Sequence, residues 1–341
     1  MRAFVISGPG RGRVEDVDPP VPADGEVVVD VARVGLCGTD TELLAGTMPY
    51  LASGEQITPF VPGHEWVGVV SRLGAGVDRG WLGRRVTADT VIGCGRCRRC
   101  SAGRQQMCED RYEIGIRGNW PGALAEQLRV PAACLRPVPD GVDDTTAALV
   151  EPAGCAHRAV VAAQLRPGQR VCVFGPGTLG LLAVQFIAAR GVGVDVVGVQ
   201  GHTLELARTL GAANAWRAGT EPTDHYDVVI DTSPSPSVGQ LALRRAEPGG
   251  RVVLVGIADT PSVADLREIT LNDLTVVGIN SAAAHFDLAL AELATGRIRT
   301  APLVRAVVGL DDAGAALTGR VPGAGGPGPK TMVDPRVPPS R

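Results

Sequence analysis

A glycine-rich turn in the middle of the chain constrains the fold more than any other feature. Residues 175–180 read GPGTLG and match the pattern G-x-G-x-x-G. The turn follows a short apolar run, Arg170–Phe174, and opens a helical run from Leu179 to Arg190. In that context the first glycine makes a tight turn, the second lets a pyrophosphate approach the backbone, and the third permits close helix packing. The predicted cofactor-binding residues of this turn are Gly175, Gly177, Thr178, Leu179 and Gly180.

Strands and helices alternate from about residue 168 onward, which predicts a parallel, doubly wound sheet. The predicted strands are 170–174, 194–199, 227–230, 251–255 and 274–277. The predicted helices are 179–190, a segment containing Leu204, Ala207 and Leu210, 238–246 and 285–294. Earlier in the chain, short β-branched runs at 27–31, 66–70 and 85–87 predict an antiparallel barrel or sandwich. The Gly- and Pro-rich tail, 322–339, is expected to be irregular.

The end of the second predicted strand bears on the choice of cofactor. NAD-binding sites usually place an acid there to hold the ribose 2′-hydroxyl. Here the strand ends in GVQGH, from Gly198 to His202, and contains no acid. An uncharged site does not repel a 2′-phosphate, and His202 could hydrogen-bond one, although no Arg follows at once. The sequence therefore favours NADP(H), with Gly198 and His202 as contacts, and loose selectivity stays open.

Four cysteines lie close together in a segment without hydrophobic periodicity, about 93–111, which is expected to be a loop. Their spacing is C-x2-C-x2-C-x7-C. Four thiolates close a tetrahedral shell around zinc and leave no open position, so the expected role is structural. An iron–sulfur cluster is the alternative, because it also takes four cysteines. The predicted ligands are Cys94, Cys97, Cys100 and Cys108.

Charge and targeting features exclude several classes of protein. The formal net charge of −3 gives no field that draws the chain to nucleic acid or to an anionic membrane. The N-terminus lacks the apolar core of a secretory signal, so a reducing cytoplasm and metal-binding cysteines are expected. The uncharged run Val171–Ala189 contains Gly-Pro-Gly near its start, which favours a buried strand–turn–helix over a membrane span. Lys330 is the only lysine beside 32 arginines, a skew from which no chemistry is inferred.

Three further motifs are scattered through the first 152 residues: Cys37 in GLCGTD, the run Gly63-His64-Glu65, and Glu151-Pro152. With the glycine turn and the four cysteines, they make the chain resemble the zinc-containing medium-chain dehydrogenases. It is most similar to the sorbitol, threonine and glucose dehydrogenase branch. The resemblance implies a GroES-like, β-rich catalytic domain at 1–152 and a Rossmann domain at 153–288. A C-terminal segment, 289–341, would return to the catalytic domain.

The resemblance also implies roles for individual side chains. The implied ligands of a catalytic zinc are Cys37, His64 and Glu151, which leave one position open for substrate. Glu65 would lie in or just outside the ligand shell and exchange with water. Thr39 would relay the proton of the substrate hydroxyl, and Glu42 stands where some members end the relay with a histidine.

The activity implied by the resemblance is reversible hydride transfer between NAD(P) and a secondary alcohol. The substrate would be a small hydroxylated molecule: a sugar, a polyol, a cyclitol or a hydroxy-amino acid. Two zinc ions per chain, a homodimer or homotetramer and a cytoplasmic location are expected. A zinc-independent reductase of alkenes or quinones and a non-catalytic structural protein are the alternatives, and the intact ligand motifs argue against both.

Overall fold

A computed structural model describes residues 1–321 and 325–338. The chain divides into two compact units. Unit 1 comprises Met1–Glu151 and, from the C-terminal part, the described residues of 304–326 and those from 330 onward. Unit 2 comprises Pro152–Leu303 together with Pro327–Pro329. Unit 2 thus extends to Leu303, whereas the range expected from the sequence ends at 288.

The elements are numbered in chain order. The strands are β1 (Arg2–Gly8), β2 (Arg11–Asp16), β3 (Glu26–Gly35), β4 (Glu65–Leu73), β5 (Arg85–Ala88), β6 (Val91–Ile92), β7 (Tyr112–Glu113), β8 (Gln127–Pro131), β9 (Leu135–Pro137), β10 (Val171–Phe174), β11 (Val194–Gly198), β12 (Asn214–Arg217), β13 (Tyr226–Asp231), β14 (Ala246–Leu254), β15 (Thr275–Gly278), β16 (Val304–Gly309) and β17 (Lys330–Asp334). The α-helices are α1 (Gly38–Ala45), α2 (Pro49–Ala52), α3 (Arg98–Ser101), α4 (Asp144–Ala148), α5 (Val150–Ala162), α6 (Thr178–Ala188), α7 (Gly201–Thr209), α8 (Val238–Arg245), α9 (Arg267–Leu271), α10 (Phe286–Ala294) and α11 (Ala313–Leu317).

Unit 2 is built on a six-stranded sheet in the order β12-β11-β10-β13-β14-β15. All neighbouring strands pair in parallel. In sequence terms this is the order 3-2-1-4-5-6 of a doubly wound dinucleotide-binding fold. Every residue of β10 is buried, as expected for a parallel strand covered on both faces. The predicted parallel sheet is therefore present, and it places the glycine turn at the carboxyl end of its central strand.

Unit 1 contains a seven-stranded sheet with the path β16-β17-β3-β4-β5-β9, and β8 pairs with β3. The pairs are antiparallel except β16 with β17. Strand β3 supplies a row of buried valines to the core, because its apolar run Val27–Val29 packs on both sides. This is the antiparallel β architecture predicted for the first part of the chain.

The prediction of an irregular C-terminal tail was wrong for β17. Met332 and Val333 are fully buried and pair with Gly35 and Val34 of β3. The run Lys330–Asp334 is short, and the Gly and Pro residues around it hide its β pattern in the sequence. Residues 322–324 and 339 of the predicted tail lie outside the described residues.

One local prediction also needs correction. The segment 93–111 contains a helical turn, α3, because the Cys97 thiol caps it by accepting a hydrogen bond from the Cys100 backbone N–H. Glu151-Pro152 lies in the first turn of α5, where a proline is tolerated because its missing N–H would have no partner. Of the helices in the described ranges, none has the length and apolar character needed to span a bilayer.

Candidate metal centres and cofactor loop

A buried group of three potential metal ligands forms where β3 ends and β4 begins. Donor atoms of Cys37, His64 and Glu65 all lie within 4.8 Å of one another. Cys37 follows β3 as the N-cap of α1, and Glu65 is the first residue of β4. His64 and Glu65 are almost fully buried, and Cys37 is half-buried. A thiol, an imidazole and a carboxylate brought together out of water are donors that suit zinc.

The buried Asp40 carboxylate contacts the residues around this group. The backbone N–H of Cys37 donates to Asp40 Oδ2 at 2.9 Å, and that of Gly63 donates to Asp40 Oδ1 at 3.0 Å. His64 Nδ1 lies 3.5 Å from Asp40 Oδ1. Burial lowers the pKa of His64, but the charges of Asp40 and Cys37 outweigh it and leave the pKa well above its usual value. Asp40 thus fixes the backbone at Cys37 and Gly63 and places its charge beside the His64 ring, as a carboxylate that supports a metal ligand does.

Gly63 is required by the backbone at this point. Its φ is +100°, and a Cβ there would lie 2.8 Å from the backbone nitrogen of Leu124. A larger residue would therefore push the His64 backbone away from Asp40.

Glu65 has a partner that the sequence motifs do not indicate. The Lys330 ammonium contacts both Glu65 carboxylate oxygens at 2.7 Å and donates to the Leu36 carbonyl at 2.8 Å. Lys330 is 4% exposed. Burial lowers its pKa, but the charges of Glu65 and Cys37 raise it above the usual value. The available signal for Lys330 was its status as the only lysine in an arginine-rich chain.

The remaining residues predicted for the catalytic centre, Glu151, Thr39 and Glu42, are not members of this group of three. Glu151 lies in the first turn of α5 and is not a member of the group of three within 4.8 Å. Its charge acts on Asp89, whose pKa is raised to about 7 by burial and then by Glu151. Thr39 and Glu42 are both on α1, three residues apart and hence on neighbouring positions of one face.

The four cysteines of the segment 93–111, which we call the lobe, lie close together: Cys94, Cys97, Cys100 and Cys108. Their sulfur atoms lie within 4.8 Å of one another, and no two of the eight cysteines, all of which are in the described residues, form a disulfide. Cys97 Sγ and Cys108 Sγ are 3.9 Å apart. A tetrahedral zinc site with Zn–S bonds of about 2.3 Å requires sulfur atoms about 3.8 Å apart. The lobe therefore has the dimensions of a closed zinc site.

The pKa values of the lobe thiols are shifted in different directions. Backbone hydrogen bonds from Arg96 and Cys97 lower the pKa of Cys94 to about 6. Burial raises the pKa of Cys100 to about 12, and hydrogen bonds with the other three thiols act in the same direction. The backbone N–H of Cys94 also points at Cys108 Sγ at 3.5 Å. These N–H donors suit thiolates, which is the state in which cysteine binds a metal.

The local geometry of the three glycines is compatible with the three roles predicted for them. Gly175 has φ +91°, and a Cβ there would lie 3.0 Å from Ser233. Gly177 is the exposed N-cap of α6, and the space beyond it is open for a phosphate. A Cβ on Gly180 would lie 2.1 Å from the Gly175 carbonyl, so the helix packs there at backbone distance. The geometry fits a dinucleotide pyrophosphate, with Thr178 and Leu179 in the first turn of α6.

Comparisons with known proteins agree with this geometry. The family model for the alcohol dehydrogenase GroES-like domain matches residues 23–140, and that for zinc-binding dehydrogenases matches 178–295. The chain is 31% identical over 300 residues to an L-threonine 3-dehydrogenase of Pectobacterium carotovorum. That match covers 82% of this chain and 83% of the relative.

Two solved structures share the fold over nearly the whole chain. The alcohol dehydrogenase rspB of Escherichia coli, complexed with NADH, superposes with a TM-score of 0.88 at 28% identity. A zinc-binding dehydrogenase of Sinorhizobium meliloti bound to NADP superposes with a TM-score of 0.86 at 29% identity. Each match covers 98% of this chain and 99% of the other. These matches confirm the predicted combination of GroES-like and Rossmann folds.

Proposed function

Because the chain belongs to the zinc-containing medium-chain dehydrogenase family, we propose that it oxidises a secondary alcohol of a small polar substrate, or reduces the matching ketone. The proposed substrate class comprises sugars, polyols, cyclitols and hydroxy-amino acids. The L-threonine 3-dehydrogenase relative supports the last of these. NADP(H) is the proposed preferred cofactor, because the end of β11 carries no acid to repel a 2′-phosphate.

The buried group of Cys37, His64 and Glu65 is the observation that carries this proposal. Cys37 and His64 would hold a zinc ion, with Glu151 as the third protein ligand inferred from the family resemblance. When bound, the zinc would polarise the substrate hydroxyl and lower its pKa. The Asp40 carboxylate lies 3.5 Å from His64 Nδ1, and burial excludes water from the charged groups. Glu65 remains beside the ligands, held by Lys330.

The substrate proton needs a path away from the buried group. Thr39 lies two residues after Cys37 on α1. We propose that its hydroxyl relays the proton, accepting it from the substrate while donating its own proton onward. Glu42, one turn further along α1, is the proposed next acceptor. The lobe would bind a second zinc through its four sulfurs. This zinc would be structural, because four sulfur ligands leave no position for substrate.

The first experiment is a zinc determination by elemental analysis, combined with titration of NADPH and NADH by fluorescence. We expect about two zinc ions per chain, and about one in Cys37→Ala. Thr39→Val is the matched variant: it should keep both ions but lose turnover by about 10²-fold or more. About one zinc in the wild type, unchanged in Cys37→Ala, would remove the basis of the proposed mechanism. Full turnover of Thr39→Val would exclude the relay.

We propose further that the protein acts in the cytoplasm as a homodimer or homotetramer. The support is the location and assembly that are common in the family to which the chain belongs. Light scattering of the purified chain measures the assembly directly, and a monomeric mass would contradict it.

A further inference from the structure

The edge of the unit 2 sheet places an arginine beside the position that normally selects the cofactor. Gly198 at the end of β11 is in register with Arg217 at the end of β12, and the two strands are parallel. The backbone N–H of Ala218 donates to the Gly198 carbonyl at 2.8 Å, which fixes the strand ends side by side. Neighbouring strands of a sheet lie about 4.8 Å apart. Arg217 is therefore one strand away from the ribose-selecting position, although it is 19 residues later in the chain.

The direction of the Arg217 side chain follows from the pleat. The preceding residues, Val197 and Trp216, belong to the hydrophobic cluster on one face of the sheet. Successive side chains alternate between faces, so Gly198 and Arg217 address the opposite face. On that face a Cβ at Gly198 would meet Pro176 of the glycine turn and Leu204 of α7. Arg217 thus leaves the sheet on the side where the cofactor loop lies.

Arg217 is exposed and is not used by the fold. Among the residues that the structure describes, its guanidinium has no ion-pair or hydrogen-bond partner, and its backbone carbonyl accepts from both the backbone N–H and Oγ1 of Thr220. Many other arginines of the chain are paired, as Arg208 is with Glu205 and Arg245 with Glu221. An arginine that is free to form a bidentate contact suits a phosphate.

The absence of an acid at position 198 also has a structural cause. A Cβ there would lie 2.4 Å from Pro176 Cδ and 2.5 Å from Pro176 Cγ. The proline ring, set between the first two glycines of the turn, thus occupies the space that an aspartate at the end of β11 would need. Any side chain at 198 requires the ring to move, because real Cβ atoms do not approach so closely.

We infer that Arg217 is the specificity-determining residue that binds the 2′-phosphate of NADP(H), and that the Pro176–Gly198 contact excludes the acid that would select NAD(H). The inference rests on the proposed dehydrogenase function and gives its cofactor preference a physical origin. His202 is exposed in the first turn of α7 and adds a neutral hydrogen-bonding group. Arg217 supplies the positive charge that the sequence motif lacks.

The first test compares dissociation constants for NADPH and NADH in Arg217→Ala, measured by fluorescence titration without substrate. We expect NADPH to bind about tenfold more weakly, with NADH within about twofold of the wild type. Arg297→Ala is the control, since it removes an equal charge from another exposed side chain of unit 2. Failure of the wild type to bind either cofactor would overturn the proposed function. An unchanged NADPH:NADH ratio in Arg217→Ala would overturn only the role of Arg217.

The second test addresses Pro176. Gly198→Asp alone should weaken both cofactors, because the new side chain displaces the proline ring. Adding Pro176→Ala should relieve the clash, so the double variant should bind NADH at least tenfold more tightly than Gly198→Asp does. Equal NADH affinity of the single and double variants would show that Pro176 does not control this position. Circular dichroism of each variant confirms that unit 2 is folded.

Discussion

Lys330 and Glu65 form a buried ion pair in which each charge compensates the other. The ammonium contacts both carboxylate oxygens at 2.7 Å, and the two residues are 4% and 1% exposed. An unpaired charge in such a place costs several kcal/mol. For Glu65 to bind a metal, it would have to give up its ion pair with Lys330, whose ammonium would then keep the Leu36 carbonyl but no carboxylate in contact. We therefore expect Glu65 to position the neighbouring ligands rather than to exchange with water at the zinc.

Replacement of Lys330 should therefore affect folding more than a surface lysine would. We expect Lys330→Met to lower the free energy of unfolding by about 3–5 kcal/mol, because it leaves the Glu65 carboxylate buried and uncompensated. The double variant with Glu65→Gln should be less destabilised than the sum of the single variants. Urea unfolding followed by circular dichroism measures both. A loss below about 0.5 kcal/mol in Lys330→Met would contradict the pairing.

The sequence predicts the donor types at this centre but not this pair. Cys37, His64 and the four lobe cysteines stand in recognisable motifs; the structure places Cys37 close to His64 and the four cysteines close to one another, whereas Glu151 is not in the group of three. Lys330 lies 265 positions from Glu65, and no local pattern connects them. Pro176 was visible within the glycine turn, but its contact with Gly198 depends on the pairing of β10 with β11. Contacts of this kind arise from tertiary packing, which local periodicity does not encode.

Elements with strong periodicity are those that the sequence predicts well. The strand–turn–helix of β10 and α6 matches its predicted range to within two residues. Several strands outside those runs were not predicted, and β12 and β17 among them were missed for different reasons. The run Asn214–Arg217 contains no β-branched residue, and its strand conformation depends on pairing with β11. Strand β17 has the composition of a strand but is placed by its pairing with β3.

Helices α5, α6 and α10 meet through a pair of histidines. His157 Nδ1 on α5 lies 3.0 Å from His285 Nδ1, at the start of α10. Its ring packs edge-on against Phe186 of α6, and Arg190 Nη2 lies 3.3 Å from its Nε2. Burial, and then the charges of Arg190 and His285, lower the pKa of His157 to about 4. Helix packing here therefore requires a neutral His157.

This packing predicts an acid-sensitive stability. Between about pH 6.5 and pH 4 the unfolded chain takes up a proton on residue 157 that the folded protein does not. Stability from this group is therefore complete above pH 6.5 and is lost as the pH falls towards 4. His157→Gln should flatten the pH dependence of the urea midpoint in that window, whereas His202→Gln, at an exposed position, should leave it unchanged. Equal slopes in the wild type and His157→Gln would exclude this origin.

At the scale of the whole molecule, the two chemical tasks belong to different units. Both groups of metal ligands are in unit 1, and the glycine turn is in unit 2. Each unit has its own hydrophobic core, so the stability of one can be followed separately from that of the other. Tryptophan fluorescence is suited to this, because Trp66, Trp81 and Trp120 lie in unit 1 and Trp216 lies in unit 2.

A chain ending at Pro329 would lack β17, which lies between β16 and β3 in the unit 1 sheet. We expect this truncation, in a Trp216→Phe background, to show red-shifted emission before any denaturant is added. The physical reason is that Met332 and Val333 are fully buried and their loss exposes the core around β3. Full-length Trp216→Phe is the control. Identical emission maxima for the two chains would show that unit 1 forms without β17.

Unit 2 is nearly continuous in the chain, whereas unit 1 needs residues from both ends. On the ribosome, the residues of unit 2 are nearly complete when Leu303 emerges, while the first 151 residues still lack β17, which pairs with β3. Domains fold as units during synthesis, so the dinucleotide module would mature first. The metal group would be finished last, when Lys330 arrives beside Glu65. Until then the Glu65 carboxylate lacks the ammonium that compensates its charge, and we expect zinc to be bound at this group only after Lys330 has been synthesised.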